Sequence, residues 1–162
     1  MRWNFLHPAQ RSILIEAIQM NKWQFTFAVV LGTGYALATS TAFADEIMVA
    51  LTGYEESPPV TTTATGSGTV TINADMTVSV NITTSGIMAT AAHIHIAPRG
   101  QNGPVIVPFT KSGDNSWTAA PGAKLTQAQY EAYRAGGLYV NVHSEANRGG
   151  EIRGQILPPE SK

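Results

Sequence analysis

The sequence contains no cysteine, little charge and no cluster of basic residues. The absence of Cys among its 162 residues excludes disulfides, zinc fingers, iron–sulfur clusters and thiol nucleophiles. Ten Lys and Arg residues against eleven Asp and Glu residues give a formal net charge of −1. Because phosphate binding requires concentrated positive charge, a nucleic-acid partner is not expected. The remaining composition is rich in Thr, Gly and Val, which is typical of an all-β protein.

The first 44 residues have the pattern of an N-terminal extension followed by a secretory signal peptide. An uncharged, largely apolar run from Phe25 to Ala42 follows a basic residue, and Ala42-Phe43-Ala44 matches the small-residue exit of a cleavage site. A transmembrane anchor is the alternative, but the apolar core of the run is short. We predict cleavage after Ala44, with either Met1 or Met20 as the translation start. The mature chain is then expected to be periplasmic or secreted, with no membrane span.

Residues 45–162 are predicted to form one domain of short strands. This part has seven basic and ten acidic residues, so its net charge is −3. Polar and apolar residues alternate along it, and Gly, Pro and Asn residues separate the runs. The predicted strands are residues 46–52, 66–72, 76–83, 89–96, 105–107, 116–119, 138–143 and 150–157. The third of these pairs with the second as an antiparallel hairpin.

A single short helix is predicted between the sixth and seventh strands. Thr126-Gln-Ala-Gln129 has the form of a capping box, and Gly136-Gly137 supplies a stop after the helix at residues 127–135. Many short strands with one small helix indicate a β-sandwich or a β-barrel.

The three histidines of the mature part are candidate metal ligands. Side chains on a strand alternate between its faces, so His93 and His95 share one face, opposite the apolar Ile94. His143 likewise lies opposite the apolar residues of its strand. If the two strands are close, the three imidazoles converge on a site that suits copper, with zinc as the alternative. The competing interpretation is that the histidines are solvated or only form hydrogen bonds.

Other polar residues give weaker indications of chemistry. No serine lies in a nucleophile elbow, so no catalytic residue is predicted. Glu55 and Glu56 are adjacent on a loop and point in different directions, so both are expected to be solvated. Glu151, Arg153 and Gln155 alternate with small and apolar residues on the last strand. They are expected to form an exposed face with cross-strand ion pairs.

Several motifs in order resemble the CHRD (chordin) domain family over about residues 48–157. They are Leu51-Thr-Gly-Tyr-Glu-Glu-Ser-Pro-Pro-Val60, Ala64-Thr-Gly-Ser-Gly68, Ala91-Ala-His-Ile-His-Ile-Ala-Pro98, Gly103-Pro-Val105, Gly137-Leu-Tyr-Val-Asn-Val-His143 and Gly150-Glu-Ile-Arg-Gly-Gln155. The resemblance implies a secreted single-domain protein of the bacterial type. It also implies an immunoglobulin-like antiparallel β-sandwich with Greek-key connections and a distant similarity to copper/zinc superoxide dismutases.

The dismutase similarity implies a role for each of the three histidines. His93-Ile-His95 resembles the strand that supplies two copper ligands in those enzymes, and Val142-His143 resembles the source of a third. The metal-bridging histidine and the zinc-loop ligands have no counterpart, because no histidine lies between His95 and His143. The disulfide is also absent, and Arg153 lies near the position of one of its cysteines. The resemblance therefore favours a mononuclear site over a binuclear catalytic one.

Three functional hypotheses follow. The first is a secreted binding module that holds one transition metal, with copper favoured, through His93, His95 and His143. The alternative is a metal-free extracellular domain that serves structure or protein interaction with an unidentified partner. A copper-dependent redox enzyme of the superoxide dismutase type is less favoured, so the chain is expected to be a binding protein rather than an enzyme.

Overall fold

The computed structural model describes residues 44–159. The predicted N-terminal extension and signal peptide, residues 1–44, therefore lie outside the described residues except for Ala44. Within the described part, no helix has the length and apolar character needed to cross a membrane.

Within residues 44–159, eight antiparallel strands and one α-helix form the fold, so the predicted all-β class with a single short helix is confirmed for this part of the chain. The strands are β1 (Asp45–Thr52), β2 (Thr65–Ile72), β3 (Val78–Ser85), β4 (Ala89–Ile96), β5 (Val105–Lys111), β6 (Ser116–Ala119), β7 (Leu138–Ser144) and β8 (Ile152–Ile156). A 3₁₀ turn, Gly53–Glu55, follows β1, and the helix α1 (Gln127–Arg134) precedes β7.

Strand β5 is longer than its sequence predicts. The prediction ended at Val107 because Pro108 cannot donate a ladder hydrogen bond. In the structure, Pro108 is the last residue of β5 that pairs with β4, and Phe109 is the first that pairs with β6. The proline therefore lies where the strand changes partner, and the strand continues to Lys111.

The strands close into a barrel in the order β1-β2-β3-β6-β5-β4-β7-β8, rather than forming two separate sheets of a sandwich. Two of its strand pairings are short. Strands β3 and β6 share two register pairs, and β1 meets β8 at the single pair Thr52↔Arg153. A three-stranded and a five-stranded sheet are thus joined at both edges by a few residues. Alternation along each strand is the same in both architectures, so the sequence could not distinguish them.

Alternate side chains of the strands fill the interior of the barrel. Val70, Ile82, Ile94 and Val140 are completely buried there. Helix α1 adds Tyr133, whose hydroxyl donates to the Asp45 carboxylate at 2.7 Å. The predicted capping box is confirmed, because Thr126 and Gln129 exchange side-chain and backbone hydrogen bonds.

Candidate metal centre

The outer face of β4, β7 and β8 is polar, yet it is largely shielded from solvent. Tyr139 and Asn141 on β7 are each 2% exposed, and Arg153 on β8 is completely buried. Two loops contact this face. They are the β1–β2 loop (residues 53–64) and the β4–β5 loop (residues 97–104), and each hydrogen-bonds to side chains of these strands. The barrel thus carries a second, polar layer on this side, outside its apolar core.

This arrangement corrects two predictions. Glu151, Arg153 and Gln155, which were expected on an exposed face, are buried. Glu56, which was expected to be solvated, is 6% exposed and accepts a hydrogen bond from Asn141 Nδ2 at 2.7 Å. A strand covered by a loop has the same polar and apolar alternation as one that faces water. The pattern therefore contained no signal for this burial.

The three predicted histidines lie together on this face. Strands β4 and β7 are neighbours, with His95 opposite Tyr139 and His143 opposite Ala91 in the register. The ring centroid of His93 lies 5.5 Å from the ring centroid of His95 and 5.0 Å from that of His143. One nitrogen from each ring can be chosen so that the three lie within 4.8 Å of one another. His95 is buried, whereas His93 and His143 are partly exposed, so the cluster opens toward solvent on one side.

Backbone carbonyls fix the orientation of two of these rings. Nδ1 of His95 lies 2.9 Å from the Gly103 oxygen, and Nδ1 of His143 lies 3.0 Å from the Arg148 oxygen. A carbonyl oxygen only accepts hydrogen bonds, so both Nδ1 atoms must carry a proton. In the neutral rings, Nε2 of each then has a free lone pair. An Nδ1–H group held by a carbonyl is the usual second-shell contact of a metal-binding histidine.

The Nε2 atom of His95 has no hydrogen-bond partner. It is fully buried, and none of residues 44–159 donates to it. His93 Nδ1, by contrast, lies 3.1 Å from His143 Nε2. Since His143 Nε2 is the acceptor, His93 Nδ1 is the donor in the metal-free cluster. Leaving a buried acceptor unpaired costs about 1–3 kcal/mol, and a bound cation would satisfy it.

The environment keeps all three imidazoles neutral near pH 7. Burial, together with the neighbouring His143 and His95, lowers the pKa of His93 from 6.5 to about 4. Burial also lowers the pKa of His95, and Arg153 adds to this effect, while the bond to Gly103 opposes it. The pKa of His143 is lowered by burial and by His95, against the bond to Arg148. Neutral rings keep the lone pairs that a metal requires.

Residues that no sequence pattern assigned to the site lie beside the cluster. The Tyr139 ring stacks on His95 with centroids 4.9 Å apart, and the Arg153 guanidinium carbon lies 3.5 Å from the centre of the same Tyr139 ring. Burial raises the pKa of Glu56 from 4.5 to about 7, although Arg153 and Asn141 oppose the shift. A buried cation therefore lies against the stacking partner of His95, and a carboxyl group with a pKa near neutrality is hydrogen-bonded to Asn141 on β7.

The cluster fits a transition-metal ion of ordinary size. Nitrogen ligands lie about 2.0–2.1 Å from such an ion, so two of them can be at most roughly 4.2 Å apart. The distance from His93 Nδ1 to His143 Nε2, 3.1 Å, is inside this limit. The full set of ligand atoms lies within 4.8 Å, so a small movement of the rings brings all three within reach.

Comparison with known proteins identifies the family. Residues 47–156 match the CHRD domain, which is more than half of the chain. Neither the curated proteins nor the solved structures gave a significant match. The family match includes all eight strands in whole or in part, both covering loops and the three histidines, and the chain therefore belongs to the CHRD domain family.

Proposed function

We propose that this CHRD domain is a secreted binding module that holds one transition-metal ion, with copper favoured, through His93, His95 and His143. The observation that carries the proposal is the buried, unpartnered Nε2 of His95 within the cluster of three imidazoles. The ligand atoms would be Nδ1 of His93 and Nε2 of His95 and His143. The carbonyl contacts of the other two Nδ1 atoms support this choice.

The composition of the cluster supports copper over zinc. Within the described residues, the candidate site consists of three imidazoles and includes no carboxylate. Imidazole ligands suit copper, and divalent copper binds nitrogen sites more tightly than divalent zinc does. The three neutral ligands add no negative charge, and the buried Arg153 cation disfavours positive charge at His95. A singly charged ion is therefore opposed less than a doubly charged one, which favours cuprous copper.

Metal titration tests this proposal directly. Purified protein is titrated with Cu(I), Cu(II) and Zn(II) against a competing chelator, beside a variant in which all three histidines are replaced by Ala. The expected result is one equivalent of copper bound by the wild type and loss of that site in the triple variant. Met88→Ala is the matched control, since Met88 is 91% exposed. An unchanged affinity in the triple variant would refute the metal site.

A metal-free interaction domain is the second candidate. It is favoured by the hydrogen bond between His93 Nδ1 and His143 Nε2, which closes part of the cluster without a metal. The generally extracellular location of CHRD domains also supports it. This candidate predicts that protein purified from copper-supplemented cells contains no metal and that a chelator leaves its melting temperature unchanged.

A copper-dependent redox enzyme is a weaker candidate. The partial exposure of His93 and His143 would give a small oxidant access to a bound ion. Three protein ligands also leave a coordination position open. Turnover of superoxide or peroxide by the copper-loaded protein, above the rate of free copper, would support an enzyme. A rate no greater than that of free copper would exclude it.

Export is part of the same proposal. CHRD domains are generally extracellular, and the N-terminal pattern predicts cleavage after Ala44. N-terminal sequencing of the protein recovered outside the cytoplasm is expected to give Asp45 as the first residue. Recovery of the full-length chain from the cytoplasm would contradict both the signal peptide and the secreted location.

A further inference from the structure

Arg153 is an unusual residue for the interior of a protein. It is completely buried on β8, yet within residues 44–159 it forms no ion pair with a carboxylate. Buried arginines are ordinarily paired with an acid, because the loss of hydration is otherwise uncompensated. The position must therefore supply other acceptors for its guanidinium.

Those acceptors come mostly from the β4–β5 loop. Arg153 Nη1 donates to the Gln101 carbonyl at 2.8 Å, and Nη2 donates to the Pro98 carbonyl at 3.2 Å. Nη1 also lies 3.5 Å from Asn102 Oδ1, and Nη2 donates to Gln155 Oε1 at 3.1 Å. A planar guanidinium presents its donors in a rigid fork. One side chain on β8 thus contacts three residues of the β4–β5 loop, Pro98, Gln101 and Asn102.

The same loop includes Gly103, the residue that orients His95. Gly103 accepts from His95 Nδ1 at 2.9 Å, and its N–H donates to the Tyr139 hydroxyl at 3.2 Å. The Tyr139 ring stacks on His95 at 13° between planes, and the Arg153 guanidinium lies over that ring. Arg153 therefore reaches His95 by two routes, through the loop backbone and through the Tyr139 ring.

We infer that Arg153 is a positioning residue for the metal site: it fixes the β4–β5 loop so that Gly103 holds His95 with Nε2 directed to the ion. The inference rests on the proposed metal-binding function. Arg153 itself does not contact the ion. It fixes the orientation of the His95 ring, and which of the two ring nitrogens carries the proton, before a metal binds. Loss of such a second-shell contact typically reduces metal affinity about 10–100-fold.

The experiment compares wild type with Arg153→Lys, which keeps the charge but cannot bridge several acceptors as a fork does. Nitrogen-15 NMR of the metal-free protein reports the tautomer of His95, and competition against a chelator reports the Cu(I) affinity. The expected result is a single Nδ1–H tautomer in wild type and a mixture in Arg153→Lys. Copper affinity is expected to fall at least about tenfold. Arg134→Lys, on the exposed side of α1, is the matched control and should change neither measurement.

A second variant keeps the test decisive if Arg153→Lys does not fold. Arg153→Gln retains a polar amide at this position but removes both the buried charge and the fork that joins the Gln101 and Pro98 carbonyls. It is expected to show the same tautomer mixture with a smaller loss of affinity. A wild-type tautomer and wild-type affinity in every variant that folds would overturn the inference.

The two proposals fail in different ways. If the wild type binds no copper, the proposed function is wrong. The His95 tautomer in metal-free Arg153→Lys still decides whether Arg153 orients that ring. If copper binds with equal affinity to wild type and Arg153→Lys, the metal site stands and the positioning role is wrong.

Discussion

At the scale of single residues, Gly103 forms two hydrogen bonds at a position where the backbone leaves no space for a side chain. Its carbonyl holds His95 and its N–H holds the Tyr139 hydroxyl. A Cβ atom at this position would lie 1.9 Å from the Ile96 carbonyl oxygen, so the backbone would have to move. The glycine is therefore required for close backbone approach, which brings the β4–β5 loop against the end of β4.

The first prediction concerns Gly103→Ala. The added methyl group displaces the loop, so we expect the free energy of unfolding to fall by about 1–3 kcal/mol, as for other overpacked sites. Copper affinity is expected to fall as well, because the Gly103 carbonyl no longer holds His95. Urea unfolding and chelator competition measure the two effects. Gly113→Ala is the control, since a Cβ there meets only ordinary contacts; equal results for the two variants would contradict the prediction.

The histidines were predictable at this scale, but their surroundings were not. Alternation along two strands placed His93, His95 and His143 on matching faces, and the family resemblance named the same residues. The tautomers depend on the carbonyls of Gly103 and Arg148, and loop backbone cannot be positioned from a sequence pattern. The burial of Glu56 and Arg153 depends on the β1–β2 and β4–β5 loops, whose positions are not predictable from the sequence pattern either.

At the scale of elements, the strands and the helix follow from local rules, whereas the covering loops do not. Residues 89–96 and 116–119 were predicted with the bounds that the structure has. The helix start followed from the Thr126 capping box. In contrast, the β1–β2 and β4–β5 loops consist of turn residues that predict only a change of direction. Where each loop lies is decided by contacts to distant side chains, such as Asn141 and Arg153.

The second prediction tests the helix cap. Thr126→Ala removes the hydroxyl that accepts from the Gln129 N–H at 3.3 Å. We expect the free energy of unfolding to fall by about 1 kcal/mol, with no change in copper affinity, because α1 contributes no ligand. Thr63→Ala, in an exposed part of the β1–β2 loop, is the control and should change stability by less than about 0.5 kcal/mol. A loss of copper binding in Thr126→Ala would show that the helix influences the site.

At the scale of the whole molecule, the proposed metal binding would be linked to folding. The site joins β4 and β7 on the five-stranded part of the barrel, so the complete cluster exists only in the folded state. A ligand that binds only the folded state stabilises it according to its concentration.

The third prediction is therefore a rise in thermal stability with copper. At a free copper concentration of 100 times Kd, the expected gain is about 2.7 kcal/mol. Differential scanning calorimetry should show a melting temperature that increases with copper in wild type. The His93→Ala, His95→Ala, His143→Ala triple variant should show no increase. An equal increase in both proteins would indicate binding elsewhere on the molecule.

Two buried groups, His93 and Glu56, make the stability of the folded protein depend on pH in opposite directions. Burial lowers the pKa of His93 to about 4, so His93 loses its proton at a lower pH in the folded state than in the unfolded state. This contribution raises stability as pH increases from about 4 to 6.5. Glu56 acts in the opposite sense. Its pKa of about 7 exceeds the unfolded value of 4.5, so its contribution is present below pH 4.5 and is lost as pH rises through 7.

The fourth prediction isolates Glu56 in chelator-treated protein. Glu56→Gln replaces the carboxyl by a neutral group of similar shape, so the variant lacks the loss of stability that ionisation of Glu56 causes. The stability of Glu56→Gln relative to wild type should therefore increase from pH 4.5 to about 7 and then become constant. Urea unfolding at a series of pH values measures this difference, and the exposed Glu46→Gln is the matched control for the loss of one negative charge. A difference that stays constant over the whole range would show that Glu56 is ionised in the folded protein throughout. The buried Arg153 would then have a permanent counter-charge, and its positive charge would no longer disfavour a doubly charged ion at His95.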